Sequence, residues 1–196
     1  MVFIVGICGA SGSGKTTVTE ILQQYYKDKY QHSSSIISLD MFYKDCSQYP
    51  EQFKKHHELC FSESNLEKSV QEREHFNFDN PELVNHKEVR NLLTSIQNQT
   101  VDTKTYQIPI YNFQSSKRIG YRPIDINKED IILVEGIFLL YEQSRTLTDI
   151  FDYLLFIEVK DQLESTKFHI KSMYHYFANN KEHEIQLFMR RFQRDL

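Results

Sequence analysis

Residues 9 to 16 read Gly-Ala-Ser-Gly-Ser-Gly-Lys-Thr, which is the complete phosphate-loop pattern G-x-x-x-x-G-K-[ST]. The apolar run before it, residues 1 to 8 (MVFIVGIC), predicts a buried parallel strand. The segment after it, residues 15 to 30, carries valine, isoleucine, leucine and tyrosine side chains on one helical face. Strand, glycine turn and helix thus occur in the order that the loop requires. The stretch predicts a protein that binds a nucleoside triphosphate or descends from one that did.

The predicted loop offers backbone N–H groups and a helix N-terminus to phosphate oxygens. Lys15 is expected to reach the β and γ phosphates, and the hydroxyl of Thr16 is expected to ligate Mg²⁺. The expected nucleotide is ATP, with GTP as the alternative. The residues predicted to surround the phosphates are Gly9, Ala10, Ser11, Gly12, Ser13, Gly14, Lys15, Thr16 and Thr17.

The composition is that of a soluble globular protein, with 196 residues, a net charge of −4, many Phe and Tyr and no Trp. The length predicts one domain over 1–196, with an excursion at 44–75, a hairpin at 100–124 and a further region at 162–196. The acidic balance gives no electrostatic footprint for nucleic acid. No apolar run approaches the roughly 18 residues of a membrane span, so no membrane association is expected. Three scattered cysteines indicate reduced thiols and a cytoplasmic location.

Three more short apolar runs predict strands at residues 35 to 39, 131 to 134 and 153 to 159. A helical pattern covers residues 81 to 97. Because strands alternate with helices, we expect a mainly parallel, doubly wound sheet with helices on both faces. The predicted fold class is therefore the α/β fold of phosphate-loop NTPases.

Two features outside the sheet are also predicted. Residues 107 to 113 and 117 to 123 are typical of the arms of a small antiparallel hairpin, and Pro109 indicates an edge position. The polar excursion at 44–75 is expected to be rich in loops, with a helical piece around residues 67 to 73.

Two carboxylates follow predicted strands directly. Asp40 comes after the second strand, and Glu135 comes after the third. Ligands in open α/β sheets gather at the carboxyl ends of strands, so both acids are expected to face one crevice with the phosphate loop. Glu135 would then be a ligand of Mg²⁺, and Asp40 would accept the proton of an acceptor alcohol.

Several segments resemble the uridine-cytidine kinase family of phosphate-loop nucleoside kinases. Together they span nearly the whole chain, and the segments at 76 to 83 and 108 to 113 separate this family from other phosphate-loop kinases. The segments are GASGSGKTT at 9 to 17, LDMFYK at 39 to 44, FNFDNPEL at 76 to 83, IPIYNF at 108 to 113, LVEGIFLLY at 133 to 141 and, more weakly, RRFQRDL at 190 to 196.

The resemblance implies a substrate site built around Asp40 as the base for the nucleoside 5′-hydroxyl, with Tyr43 beside it. Asp79 matches an acid that holds ribose hydroxyls, a role suited to an acceptor-only side chain. An aromatic enclosure for the pyrimidine ring is implied, and Arg118 is counted with the substrate-binding residues. The enclosure would consist of Phe78, Tyr111 and Phe113.

The resemblance also implies that Thr16 and Glu135 are the magnesium positions. A lid of arginines would close over the phosphates and stabilise the transferring charge. These lid residues are Arg190, Arg191 and Arg194.

The chain departs from the family pattern in three places. Asn112 stands where the family has an acid, and Ser116 stands where it has a histidine that contacts the base edge. About 28 residues separate Asp161 from the lid arginines, and the C-terminal part of the family fold, including its last sheet strand, is expected to be absent. A histidine-containing stretch within residues 162 to 189 is expected to form an exposed or partner-facing helix.

Three functions remain open at this point. The first is phosphorylation of uridine or cytidine by ATP in pyrimidine salvage, for which the resemblance implies a homo-oligomer. The second is a catalytically impaired nucleotide-binding relative that acts through a partner. The third is a kinase for another acceptor, such as nicotinamide riboside or a sugar phosphate. A zinc site at His56, His57 and Cys60 is disfavoured, because no second ligand pair with zinc-like spacing follows.

Overall fold

The computed structural model describes residues 2–31, 33–69, 72, 75–127, 130–141, 145–158 and 169–172. The chain forms two compact units. The first, which we call the sheet unit, comprises Met1–Ile37 and Lys128–Leu196. The second, the hairpin unit, comprises Ser38–Asn127.

The described residues contain seven strands and five α-helices. The strands are β1 Phe3–Gly9, β2 Ser34–Ser38, β3 Thr103–Asn112, β4 Lys117–Asn127, β5 Ile131–Glu135, β6 Tyr153–Glu158 and β7 His169–Ser172. The α-helices are α1 Lys15–Tyr30, α2 Glu51–Cys60, α3 Glu63–Leu66, α4 His86–Gln97 and α5 Arg145–Thr148. Short 3₁₀ turns lie at Leu39–Phe42, Cys46–Gln48 and Pro81–Leu83.

The sheet unit is built on a five-stranded sheet in the order β2-β5-β1-β6-β7. The central strand β1 pairs in parallel with β5 and with β6. Its residues are buried after Phe3, as expected for a parallel strand covered on both faces. Helix α1 places Val18, Leu22 and Tyr26 in the core that these strands form, and its bounds are those the sequence predicts. The predicted α/β fold class is confirmed.

The sheet has one strand more than the sequence predicts. Strand β7 pairs antiparallel with β6, with Ile157 opposite Ile170. It includes His169, so the expectation of a helix at that histidine is wrong. The reason is that an edge strand of four residues, HIKS, has neither an apolar run nor a long alternation by which to be recognised.

The hairpin unit contains the predicted antiparallel pair, which is longer than expected. Strands β3 and β4 pair from Thr103 opposite Asn127 to Asn112 opposite Lys117, with an irregularity between Ile110 and Tyr111. Pro109 lies opposite Tyr121 in this two-stranded sheet, where every strand is an edge.

Helix positions in the hairpin unit differ from the prediction in two places. The excursion contains α2 and α3, which lie before the predicted helical piece at residues 67 to 73; residues 70, 71, 73 and 74 lie outside the described residues. The helix predicted from residue 81 is a 3₁₀ turn at Pro81–Leu83 followed by α4. It restarts at His86 because Asn85 accepts a hydrogen bond from the backbone N–H of Glu88 and caps the new helix.

Candidate functional site

The phosphate loop, residues 9 to 17, is shaped by its glycines. Gly12 and Gly14 have φ angles of 73° and 88°, a left-handed conformation that favours glycine. At Gly9 the limit is space, since a Cβ atom there would lie 2.5 Å from the carbonyl oxygen of Ile157 in β6. The loop therefore tolerates no side chain where it leaves β1.

The start of α1 offers its N–H groups to an external acceptor. Gly14 is the N-cap residue, no side chain caps it, and the first turn of this fully described helix contains no acid. The hydroxyl of Ser13 is buried and has no hydrogen-bond partner among the described residues. A helix N-terminus with free donors and a positive dipole end suits a phosphate group.

Lys15 lies against the loop that precedes it. Its Nζ donates a hydrogen bond to the carbonyl of Ala10 at 2.8 Å, and the residue is buried. Thr16 and Thr17 are exposed at the start of α1, whereas the hydroxyl of Thr19 donates to the carbonyl of Lys15. The lysine ammonium and the Thr16 hydroxyl are thus both placed at the phosphate loop.

Glu135 ends β5 beside the strand that leads to the loop. Its register partner is Ile7, and the N–H of Gly136 donates to the carbonyl of Ile7 at 3.1 Å. Glu135 is only 5% exposed, and no residue that the structure describes donates a hydrogen bond or forms an ion pair with its carboxylate. A carboxylate oxygen is a ligand that Mg²⁺ prefers, so Glu135 fits the metal position predicted for it.

In the hairpin unit, Asp40 lies within the 3₁₀ turn at Leu39–Phe42. Its backbone N–H donates to the hydroxyl of Ser38 at 3.3 Å. Tyr43 ends this turn and is 2% exposed, and its hydroxyl donates to the carbonyl of Phe78 at 2.8 Å. Burial raises the pKa of Tyr43, and the carboxylates of Asp40 and Asp79 raise it further. The negative charge of both acids thus disfavours ionisation of the same phenol.

Four of the predicted aromatic residues contact one another. We call Tyr43, Phe78, Tyr111 and Phe113 the ring cluster. The ring centroids of Tyr43 and Phe113, and those of Phe78 and Phe113, are 5.2 Å apart in edge-to-face geometry. Tyr111 lies 5.4 Å from Tyr43 and 4.9 Å from Phe113. Phe113 remains 38% exposed, so the cluster presents a ring surface outward.

Sequence reasoning missed the residues that support this cluster. The hydroxyls of Tyr49 and Tyr111 are 2.7 Å apart, and the Tyr49 ring stacks on Phe76 at 5.6 Å. Phe76 also meets Phe78 edge to face at 4.9 Å. The alternation of Phe76 and Phe78 in the segment FNFD was the available signal, whereas Tyr49 stood in a stretch without a recognisable pattern.

Arg118 and Ser116 occupy positions that sequence alone could not define. Arg118 donates from Nε to the carbonyl of Tyr43 at 2.9 Å and pairs with Glu88 at 2.7 Å. Ser116 is fully buried at φ 51°, and its carbonyl accepts a hydrogen bond from the N–H of Cys46. A substrate contact by Arg118 stays a prediction, and the Ser116 side chain lies inside the unit.

Three sets of predicted residues have different outcomes. The structure brings the phosphate-loop residues together around α1, and it brings the acceptor-site residues together around Tyr43. The lid arginines Arg190, Arg191 and Arg194 lie outside the described residues. A common pocket for Asp40 and Glu135 stays a prediction. Over the described part of the chain, no helix combines the length and apolar character needed to cross a membrane.

Comparison with known proteins gives a consistent family. Residues 4–170 match the model of the Phosphoribulokinase / Uridine kinase family. The chain is 34% identical over 161 residues to a uridine kinase of Staphylococcus aureus (strain JH9), covering 82% of this chain and 63% of that protein. It is 30% identical over 149 residues to the inorganic pyrophosphatase TTM2 of Arabidopsis thaliana, covering 76% of this chain and 17% of that protein.

Two solved structures share the fold. A putative fructose transport system kinase from Silicibacter sp. TM1040 has a TM-score of 0.58 and 19% identity, covering 81% of this chain and 66% of that one. A possible uridine kinase from Bacillus stearothermophilus has a TM-score of 0.55 and 18% identity, covering 81% and 71%. At these identities the likeness establishes the fold alone.

Proposed function

This chain belongs to the Phosphoribulokinase / Uridine kinase family, and we propose that it transfers the γ-phosphoryl group of ATP to the 5′-hydroxyl of uridine or cytidine. It spans 63% of the Staphylococcus aureus uridine kinase and 17% of the Arabidopsis thaliana protein. Because the chain spans only part of each relative, we propose this activity for the whole protein. We also propose that the protein is soluble and acts in the cytoplasm.

The phosphate loop would hold the nucleotide. The free N–H groups at the start of α1 bind phosphate oxygens, and Lys15 exchanges its bond to the Ala10 carbonyl for the β and γ phosphates. Thr16 and Glu135 would hold Mg²⁺, which neutralises charge on the β and γ oxygens when bound. The loop thus positions the leaving group and stabilises the charge that develops on it.

Asp40 would act on the acceptor alcohol. As the nucleoside 5′-oxygen attacks the γ-phosphorus, its proton passes to the Asp40 carboxylate. The bond from the γ-phosphorus to the oxygen that bridges the β and γ phosphates breaks, and ADP leaves with that electron pair. The products are the nucleoside monophosphate and ADP.

One observation supports a nucleoside above other acceptors. Asp40 lies three residues before Tyr43, and Asp79 directly follows Phe78, whose carbonyl accepts a hydrogen bond from the Tyr43 hydroxyl. Tyr43 belongs to a cluster of four aromatic rings with an exposed member. A planar base can stack against exposed rings, and an exposed carboxylate can accept hydrogen bonds from a ribose diol. A nucleoside combines these two chemical features with a primary alcohol.

An acceptor panel with radiolabelled ATP tests the proposal. Uridine, cytidine, nicotinamide riboside and a hexose phosphate are compared at equal concentration, with a sample that lacks any acceptor. We expect label in uridine or cytidine monophosphate at a rate well above the rate of phosphate release without acceptor. If ATP binds but neither pyrimidine nucleoside is labelled at millimolar concentration, the proposal is wrong.

A second candidate retains the transfer but changes the acceptor. The position that the family resemblance assigns to base recognition is Ser116, whose side chain is fully buried. A short buried hydroxyl specifies the base edge less than an imidazole would, which allows acceptors without a pyrimidine. Faster labelling of nicotinamide riboside or the hexose phosphate than of uridine would support this candidate.

A further inference from the structure

Arg118 makes four polar contacts to residues of the hairpin unit that the structure describes. Its backbone N–H donates to the Asp45 carboxylate at 2.7 Å. Its Nε donates to the carbonyl of Tyr43 at 2.9 Å, and its Nη2 donates to that of Phe42 at 3.4 Å. Its Nη1 pairs with Glu88 Oε2 at 2.7 Å. Each of the three guanidinium nitrogens therefore already has a protein acceptor.

These contacts converge on the backbone that carries Asp40. Phe42 and Tyr43 are the second and third residues after Asp40, and the carbonyl of Phe42 also accepts from the N–H of Asn85. Within the Leu39–Phe42 turn, the backbone N–H of Asp40 donates to the Ser38 hydroxyl at 3.3 Å. A single 3₁₀ turn is a weak element by itself. Donors from outside the turn, on Arg118 and Asn85, bind its last carbonyl and the carbonyl of Tyr43 that follows it.

The other end of the contact is fixed to a helix. Glu88 lies in the first turn of α4, where the side-chain amide of Asn85 donates to its carboxylate at 2.9 Å. Asn85 in turn caps the same helix through the N–H of Glu88. The planar guanidinium fork therefore connects β4, the start of α4 and the turn that bears Asp40 in one geometry.

We propose that Arg118 is a positioning residue, which with Glu88 holds the Leu39–Phe42 turn so that Asp40 meets the acceptor hydroxyl. This inference rests on the proposed function for its kinetic consequence, but not for the structural one. Its charge is paired with Glu88, and the side chain is only 14% exposed. Three of the five guanidinium N–H donors are engaged within the protein, so a substrate could use only the remaining two.

The test compares Arg118→Lys and Glu88→Gln with a control on the same strand, Arg122→Lys, whose side chain is exposed. Lysine keeps the charge and three N–H donors, but its single nitrogen cannot reach the three acceptors that separate guanidinium nitrogens contact. We expect kcat to fall about 10- to 100-fold in Arg118→Lys, because a base displaced by about 1 Å costs on that order. The KM values for nucleoside and ATP should stay within about 3-fold of the parent, as expected when only an interaction of the transition state is lost.

The double variant Arg118→Lys, Glu88→Gln distinguishes positioning from substrate contact. If the two side chains act as a unit, the double variant should lose little more activity than Arg118→Lys alone. If Arg118 instead contacts the nucleoside, its replacement raises the nucleoside KM with kcat retained, and Glu88→Gln has a separate, additive effect. That second pattern would overturn the proposal.

Hydrogen exchange provides a readout that needs no turnover. In Arg118→Lys and in the milder Glu88→Gln, amides in the peptide covering residues 38 to 45 should exchange faster, while those of the phosphate loop should be unchanged. Unchanged exchange at residues 38 to 45 would refute the proposed role even if activity fell. If the parent protein labels no acceptor, the kinase proposal fails, and the exchange result still decides whether Arg118 holds this turn.

Discussion

The phosphate loop and the ring cluster are assembled in opposite ways. The loop is one contiguous stretch whose binding groups are mostly backbone N–H groups, shaped by glycines and by the start of α1. The ring cluster consists of side chains from three separate segments, at residues 43, 78 and 111 to 113. The loop therefore depends on backbone geometry that a short motif specifies, whereas the cluster exists only after the hairpin unit has folded.

The largest expected effect is that of Lys15→Ala, which should impair the phosphate loop and leave the ring cluster intact. It would remove the proposed phosphate contact, and among the described residues the Lys15 ammonium bonds only the Ala10 carbonyl, so we expect the fold to survive. We expect turnover to fall by more than about 10³-fold, because developing charge on the phosphates is no longer stabilised. Calorimetric titration should still detect nucleoside binding. Lys27→Ala, at an exposed position of the same helix, should retain full activity.

Asp40→Asn should reduce turnover while ATP binding is retained, whereas Lys15→Ala should reduce turnover while nucleoside binding is retained. Without a proton acceptor, turnover should fall by about 10²- to 10³-fold, while binding of a fluorescent ATP analogue changes less than about 2-fold. Asp102→Asn, at an exposed position of the hairpin unit, is the matched control. A fully active Asp40→Asn protein would show that Asp40 is not the base.

Tyr43→Phe tests how far the ring cluster depends on a single hydroxyl. The change leaves the Phe78 carbonyl without the hydrogen bond it accepts at 2.8 Å. We expect a loss of about 1 kcal/mol in the free energy of unfolding and a rise of a few-fold in the nucleoside KM. Tyr121→Phe, on an exposed part of β4, should change neither quantity. If both variants change stability and the nucleoside KM equally, the Tyr43 hydroxyl has no specific role in the site.

The smallest expected effect concerns the helical layer beside the cluster. His57 stacks on Phe61 at 4.4 Å, and burial lowers its pKa below the usual 6.5, although Glu58 opposes this. The unfolded chain then binds a proton more readily than the folded one, so His57 contributes stability above pH 6.5 that is lost as the pH falls. Urea unfolding at pH 7.5 and 5.5 should show a smaller drop in His57→Phe than in the parent. The exposed His56 changed to Gln should keep the drop of the parent, and an equal drop in His57→Phe would contradict this expectation.

Sequence predicted local structure better than it predicted contacts between segments. The bounds of α1 follow from the glycine loop before it and the apolar face along it, both of which are local. Helix α2 was missed because its buried positions include His57 and Cys60, which do not count as an apolar stripe. The restart of α4 was signalled by Asn85 and Glu88, a spacing typical of a capping box.

The acceptor site could be predicted only as a set of residues. The family resemblance supplied Tyr43, Phe78, Tyr111 and Phe113, but not the Tyr49 hydroxyl that meets Tyr111. The pairing of Arg118 with Glu88 joins positions 30 residues apart by number, and no local pattern encodes it. Such contacts depend on the register of the hairpin and on where α4 begins, which are properties of the folded unit.

The bare start of α1 also affects how this protein should be handled. Since neither a carboxylate nor a side-chain cap satisfies those N–H groups, inorganic oxyanions such as sulfate or phosphate will compete there with the nucleotide. Buffers that contain them will raise the melting temperature and at the same time weaken the apparent affinity for ATP. Affinities measured in chloride buffers will represent the nucleotide alone.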